Sequence, residues 1–223
     1  MRAIVFANGL IDPLTDVCGL LRADDLLLAA DGGSRHCQER GIVPHAVVGD
    51  LDSFDMAMQQ AWAAAGVKFY RYPSRKNFTD LELALQHAIM QGADEIVVFG
   101  ALGARWDQTV ANLLLPIADG LRDAHVRLLD GLQEIMLLHG GSLKLSGRPG
   151  DTVSLIPLGG DAVGITTQGL EYPLLGGTLY FGATRGISNV MLAHEAGVQL
   201  QSGLLLCVLI HQAEPLSPTG NVA

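Results

Sequence analysis

Apolar residues in the first half of the chain fall in short unbroken runs, each followed at once by glycine or a polar turn. Ala3-Ile-Val-Phe-Ala7 gives way to Asn8-Gly9, and Leu26-Leu-Leu-Ala-Ala30 to Asp31-Gly-Gly33. Val47-Val48 leads into Gly49-Asp-Leu-Asp52, and Glu95-Ile-Val-Val-Phe99 into Gly100. Continuous runs of this length predict strands buried on both faces, as in a parallel sheet covered by helices. Further strands are predicted over 67–70 and 125–129. Helices are predicted over 34–40, closed by Gly41, and over 56–65, stopped by Gly66. Thr79 and Glu82 have capping-box spacing. Beyond them Leu81, Ala84, Leu85, Ala88 and Ile89 share one helical face up to Gly92. A last helix is expected from about Gln108 through Leu115, with an extension past Pro116 left open.

The pattern changes after His139-Gly-Gly141. Ser142-Leu-Lys-Leu-Ser146, Thr152-Val-Ser-Leu-Ile156, Thr178-Leu-Tyr-Phe181 and Val198-Gln-Leu-Gln201 alternate, and Gly and Pro punctuate at short intervals. No helical stripe is evident. Alternation with frequent turns predicts a small antiparallel β domain, a sandwich or partial barrel. The expected fold is therefore an α/β N-terminal domain with a mainly parallel sheet, residues 1–138, followed by an all-β, sandwich-like C-terminal domain, residues 139–223. The tail from Glu214 is expected to fray.

Composition narrows the function. With 49% apolar and 17% charged residues in 223, the chain is an ordinary globular protein with ample core. A formal charge of −9 argues against a nucleic-acid partner. That field also repels ATP at long range, so a phosphate site needs local cations, whereas a cationic substrate is favoured. Cys18, Cys37 and Cys207 are odd in number and widely spaced, which points to a reducing compartment. The first apolar run is too short for a signal peptide, and the run from Leu204 to Ile210 is too short to span a bilayer. A cytoplasmic, soluble protein without a membrane partner is expected.

The candidate chemistry sits where strands end and helices begin, the edge at which open α/β sheets bind ligands. Asp50 and Asp52 stand at i and i+2, so an extended backbone would point both carboxylates to one side, a pair suited to Mg²⁺. The plainer reading makes Asp50 a turn residue, with Asp52 or Ser53 capping a helix that starts near Phe54. Neither Gly-x-x-x-x-Gly-Lys-[Ser/Thr] nor Gly-x-Gly-x-x-Gly occurs. Gly100-x-x-Gly103-x-Arg105 still leaves a strand and enters a helix, where exposed amides and Arg105 can hold an anion. Asp31 reads equally as a turn residue, Asp80 as a first-turn acid, Lys76 as a solvated charge and Asp107 as an N-cap. Their coincidence carries more weight. Asp31, Asp50, Asp52, Asp80 and Asp107 all fall at one predicted edge, with Arg35, Lys76 and Arg105 among them. Five carboxylates in a crevice require cations, which implies a metal with a positively charged or phosphate-bridged ligand.

Ala30-Asp-Gly-Gly33, Gly49-Asp-Leu-Asp-Ser53, Lys76-x-x-Thr-Asp80 and Gly100-x-x-Gly-x-Arg-x-Asp107 follow one another as in the thiamine pyrophosphokinase family, which this chain resembles. Ser154-Leu-Ile-Pro157, Thr166-Thr-x-Gly-Leu-x-Tyr-Pro-Leu174 and Gly186-Ile-Ser-Asn189 extend the resemblance into the second part. It implies a homodimer with sites shared between chains, ATP as co-substrate, Mg²⁺ as cofactor, and transfer of a pyrophosphoryl group to thiamine with release of AMP. By motif, Asp50, Asp52 and Asp80 would hold Mg²⁺ and, with Lys76 and Arg105, act in catalysis. Asp31, Gly32, Lys76, Gly103, Arg105 and Asp107 would line the nucleotide. Ser188 and Asn189 would touch thiamine along with Asp107, and Tyr172 would reach it from the partner subunit. Ala104 and Gln108 depart from the family's usual Gly and His. The alternatives are pyrophosphoryl transfer to another hydroxymethyl heterocycle, such as a pterin, and a non-catalytic nucleotide or thiamine binder. Gly169-Leu-Glu-Tyr172 and Gly186-Ile-Ser-Asn189 argue against the first, and the full acid set against the second.

Overall fold

The computed structural model describes residues 1–52, 54–103 and 105–213. Ser53, Ala104 and the tail expected to fray lie outside the described residues. The chain divides into two compact units, Met1–Leu137 and Leu138–Ala223.

In the first unit the apolar runs form β1 (Arg2–Phe6), β2 (Leu26–Ala30), β3 (Ala46–Gly49), β4 (Lys68–Arg71), β5 (Glu95–Phe99) and β6 (His125–Asp130). These pair in parallel in the order β6-β5-β1-β2-β3-β4. β7 (Gln133–Leu138) folds back on β6 as an antiparallel hairpin that the sequence pattern did not suggest. Helices α1 (Val17–Leu20), α2 (Ser34–Glu39), α3 (Met56–Ala64), α4 (Asp80–Met90) and α5 (Trp106–Leu114) connect the strands. Four-residue α1 was not expected from the sequence. It is too short to show a periodic stripe, and its end is tied by Asp16, whose side chain accepts from the Gly19 amide.

Both faces of the parallel sheet are covered, as continuous apolar runs require. Ile4, Phe6, Val47, Val97 and Phe99 pack with Cys37 of α2 and Trp62 of α3 in one core cluster. On α4, Leu81, Ala84, Leu85 and Ala88 are buried, and the helix lies along β1, β2 and β3. Thr79 caps α4 as its spacing predicts, its hydroxyl accepting from the Glu82 amide at 3.1 Å.

One local reading is corrected and one left open is settled. Helix α3 starts at Met56, and its cap is Asp55, which accepts from the Ala57 amide at 3.3 Å, not Asp52. Helix α5 begins at Trp106 and does not run past Pro116; a 3₁₀ turn, Leu115–Ile117, replaces it, because proline has no amide to continue the ladder.

The second unit is all β. β9 (Thr152–Pro157) pairs antiparallel with β12 (Asn189–Val190) and β14 (Leu205–Ile210). A separate sheet runs β11 (Gly177–Leu179), β10 (Ala162–Gln168), β13 (Glu195–Leu200), β8 (Gly141–Ser146). β14 had been read only as an apolar run. Its burial in fact alternates, Leu205, Cys207 and Leu209 inward, but apolar residues at the intervening positions conceal this in the sequence. The three cysteines are free, and burial pushes the Cys37 and Cys207 thiols up to about 12, so both act as small core hydrophobes. Among the described residues no helix is long and apolar enough to cross a membrane.

Candidate active site

Strand order decides which acids meet. β2 and β3 are neighbours, so the residues that leave their carboxyl ends, Asp31 and Asp50, are brought side by side. One carboxylate oxygen each from Asp31, Asp50 and Asp52 lies within 4.8 Å of the others. Gly49 makes this approach possible, since a Cβ there would stand 2.7 Å from that of Asp31. The Asp50–Asp52 segment is not extended. Leu51 adopts φ +62° and is buried in the core, so the backbone turns over it and sends both flanking carboxylates outward. Asp31 is likewise left-handed at φ +41°. Non-glycine residues in this region are strained, and such strain concentrates at functional sites.

Local amides partly stabilise the negative charge. The Leu51 amide donates to Asp31 Oδ1 at 3.2 Å, and the Asp52 amide to Asp50 Oδ1 at 3.3 Å. The Asp52 amide is the main reason the Asp50 carboxyl is held below its ordinary range; burial opposes it, and the Ser74 hydroxyl and the Lys76 charge help to outweigh that opposition. Asp80 stands beside this cluster, its Oδ1 lying 3.2 Å from where a Cβ on Gly49 would be. Its Oδ1 takes the Lys76 ammonium at 2.6 Å, and Lys76 is largely buried. Asp31 thus joins the expected pair Asp50 and Asp52, with Asp80 adjacent and engaged by Lys76. Three hard oxygen donors in this arrangement fit Mg²⁺.

A cavity of about 310 Å³ adjoins these groups, lined by Asn8, Gly9, Asp31, Thr79, Asp80, Gly103, Arg105, Gln108 and Asn112. Asp31 belongs both to the carboxylate cluster and to this wall. Arg105 and Asp107 form a two-pronged ion pair with each other, Nε–Oδ1 at 3.0 Å with a second, shorter prong, and both are exposed. That pairing raises the Arg105 pKa and lowers that of Asp107. An anion would therefore compete with Asp107 for the guanidinium. Gly32 sits against the Asn8 side chain.

Some supporting residues escaped the sequence reading. His36 is buried and its Nε2 lies 2.8 Å from the Gly9 carbonyl, holding the Asn8-Gly9 turn at the cavity. Burial keeps its pKa low, so a neutral ring donates there. Asn112 is buried and donates from Nδ2 to the Ala101 carbonyl at 2.6 Å. The Asn8-Gly9 signal was available, because it ends a buried run as the acidic motifs do. His36 and Asn112 offered none beyond a polar residue within a helix.

In the second unit, Tyr172, Ser188 and Asn189 are brought together. The Asn189 side chain accepts the Tyr172 amide at 3.0 Å and donates to the Tyr172 carbonyl at 2.7 Å, mimicking a strand partner. Tyr172 itself is 66% exposed. Ser188 has φ +61°, the third left-handed non-glycine among the described residues, and its amide donates to the buried Ser154 hydroxyl at 3.1 Å.

An α/β unit with carboxylates and cations gathered at the carboxyl edge of a parallel sheet, followed by an all-β unit presenting an open aromatic ring, defines a two-part group-transfer enzyme. Comparison with known proteins narrows this. Residues 17–122 match the model of the thiamin pyrophosphokinase catalytic domain, and residues 142–205 that of the thiamin pyrophosphokinase vitamin B1 binding domain. The chain belongs to the thiamin pyrophosphokinase family. It is 26% identical over 205 residues to thiamine pyrophosphokinase of Bacillus subtilis, covering 92% of this chain and 96% of that protein. The rice thiamine pyrophosphokinase 2 is 26% identical over 176 residues, 73% of this chain and 64% of its own length. The crystal structure of the Bacillus subtilis protein superposes with a TM-score of 0.83 at 25% identity, covering 96% of this chain and all (100%) of that one. The Geobacillus thermodenitrificans protein has the same fold, with a TM-score of 0.83 at 23% identity over 97% of this chain and 100% of the other.

Proposed function

We propose that the chain transfers a pyrophosphoryl group from ATP to the hydroxyl of thiamine, giving thiamine diphosphate and AMP. The observation that carries this reading is the succession of a thiamin pyrophosphokinase catalytic match and a vitamin B1 binding match along one chain. The thiamine hydroxyl oxygen bonds to the β-phosphorus, the bond from that phosphorus to the α,β-bridging oxygen breaks, and AMP leaves with the bridging oxygen. The hydroxyl proton is released.

In this reading Asp31, Asp50 and Asp52 hold Mg²⁺, which supplies positive charge against the triphosphate. Lys76, anchored on Asp80, faces the phosphate oxygens. Arg105 exchanges Asp107 for phosphate, helped by its forked geometry. Gly32, Gly103 and Gln108 border the nucleotide, and Asp107, once released, is free to meet the cationic substrate. Such groups act by positioning and by stabilising charge spread over the transferring phosphoryl oxygens. Tyr172 offers its ring face to the permanently charged thiazolium. Asn189 holds Tyr172 in place, and Ser188 presents its hydroxyl beside it.

The acting species is a homodimer in which each site draws Tyr172 from the partner chain. Support comes from the exposure of Tyr172 and from Trp106, Val110 and Leu114, which form an apolar stripe at helical spacing on the outside of α5. Free cysteines favour a cytoplasmic setting. The deciding experiment is product analysis after incubation with ATP, Mg²⁺ and thiamine. Thiamine diphosphate and AMP in equal amounts are expected. Stoichiometric ADP with thiamine monophosphate, or turnover of a pterin alone, would overturn the reading.

A further inference from the structure

The amino edge of the same sheet carries a second cavity, of about 380 Å³, between the starts of β2, β3 and β4 and the last turn of α4. It is separate from the candidate active site. The two lie at opposite ends of the 11-residue helix α4, about 16 Å apart along its axis. Apolar side chains Leu26, Leu28, Val43 and Val67 line it together with His87 and Lys68.

His87 forms the inner end of the wall. It is 5% exposed, and its ring contact is with Tyr70, at 4.2 Å between centroids. Lys68 stands close enough to lower the His87 pKa, which burial lowers further, and Lys68 has no acidic partner among the described residues. His45, also on the wall, accepts the Leu27 amide through Nδ1 at 2.9 Å, so its proton lies on Nε2 as a free donor.

We propose that this cavity binds a small planar carboxylate with an aromatic or heteroaromatic body. The apolar walls and the Tyr70–His87 pair take the ring, and Lys68 with His45 Nε2–H takes the carboxylate. The volume falls in the lower part of the range for small-molecule sites, about 300–1,000 Å³. A phosphate is disfavoured, because the described residues of the lining supply one cation, no arginine fork and no helix N-terminus.

The test follows the His87 ring by NMR in the full chain, with benzoate as probe, benzamide as its uncharged counterpart and inorganic phosphate as an anion without a ring. Turnover is not involved, so the result does not depend on the proposed reaction. Benzoate should shift the His87 resonance saturably, with a Kd of about 1 mM or tighter, and raise its titration midpoint, since a nearby anion favours the imidazolium. Lys68 is exposed, so Lys68→Met should fold normally and bind benzoate about fivefold more weakly, the scale of one partly exposed ion pair. Benzamide should be weaker by a similar factor, and phosphate should leave the resonance unmoved. No saturable benzoate shift, equal binding of benzamide, a response to phosphate, or indifference to Lys68→Met would each overturn the proposal. His87→Gln removes the followed resonance and so checks its assignment; benzoate binding to that variant, read from the ligand's own resonances, should weaken, and undiminished binding would overturn the proposal too.

Discussion

The two units present their candidate residues in opposite ways. In the α/β unit the charged groups are mutually engaged: Lys76 on Asp80, Arg105 on Asp107, backbone amides on Asp31 and Asp50. They project from the ends of buried parallel strands, so their positions are set by the core. In the β unit Tyr172 is open to solvent, and only its backbone is held, by the amide of Asn189. Phosphate chemistry needs charges fixed before the substrate arrives, because reorienting them during reaction costs free energy. Holding a flat cation needs an aromatic face left free to be covered. The left-handed residues follow the same division, with Asp31 and Leu51 shaping the acid cluster and Ser188 shaping the turn beside Tyr172.

The largest effect is expected at the acid cluster. Asp52→Asn keeps the shape but removes a charge and a hard ligand, and turnover should fall by at least ~100-fold with the fold intact. Asp31→Asn should raise the Mg²⁺ concentration needed for half-maximal rate, while Asp80→Asn should leave that requirement nearly unchanged and act through the freed Lys76. If the two variants exchange these behaviours, Asp80 and not Asp31 is the ligand, and the comparison loses its first half.

A stability change of about 1–3 kcal/mol is expected from Asp151→Asn in the β unit, the scale of losing hydrogen bonds to a buried charged group. Burial opposes ionisation of Asp151, but the Gln212 and Arg148 amides and the His211 ring outweigh it and depress the pKa. A depressed carboxyl contributes stability above its unfolded value of about 3.9, and that contribution is lost as the pH falls through the lower folded value. Denaturation curves from pH 7 down to 2 should therefore show a weaker acid dependence in the variant. Parallel curves would mean that Asp151 does not titrate differently in the folded unit.

The smallest effect is at Tyr172. Tyr172→Ala should weaken thiamine binding by ~0.5–2 kcal/mol, the range of a cation–π contact, and do so through KM. Mixing these chains with Asp52→Asn chains sharpens the test, since subunit exchange restores about a quarter of all sites in a twofold dimer with shared sites. Activity at low thiamine should then exceed the mean of the separate variants. Simple averaging, with exchange verified by mass, would place Tyr172 within its own chain's site or outside it.

Much of this was legible because local spacing has local physical consequences. Unbroken apolar runs gave the parallel strands, Thr79 and Glu82 the start of α4, and the change to alternation near residue 139 the β unit. Where a strand's solvent-side positions are also apolar, as in β14, or where an element is as short as α1, the period is hidden. At the site, sequence placed Asp31, Asp50, Asp52, Asp80, Lys76 and Arg105 at strand and helix ends, and the ordered motifs identified the family.

Which of those ends meet was decided by the tertiary structure alone. Asp31 joins Asp50 because β2 and β3 are hydrogen-bonded neighbours, a pairing between residues far apart in sequence that no local pattern encodes. The turn that brings Asp52 alongside comes from Leu51, held left-handed while its side chain is buried in the core. The sequence by itself determined the elements and the chemical types at their ends, since both follow from periodicity and side-chain chemistry. The partners of Asp31, Asp80 and Asn189 depend on strand order and packing, which only the folded chain fixes.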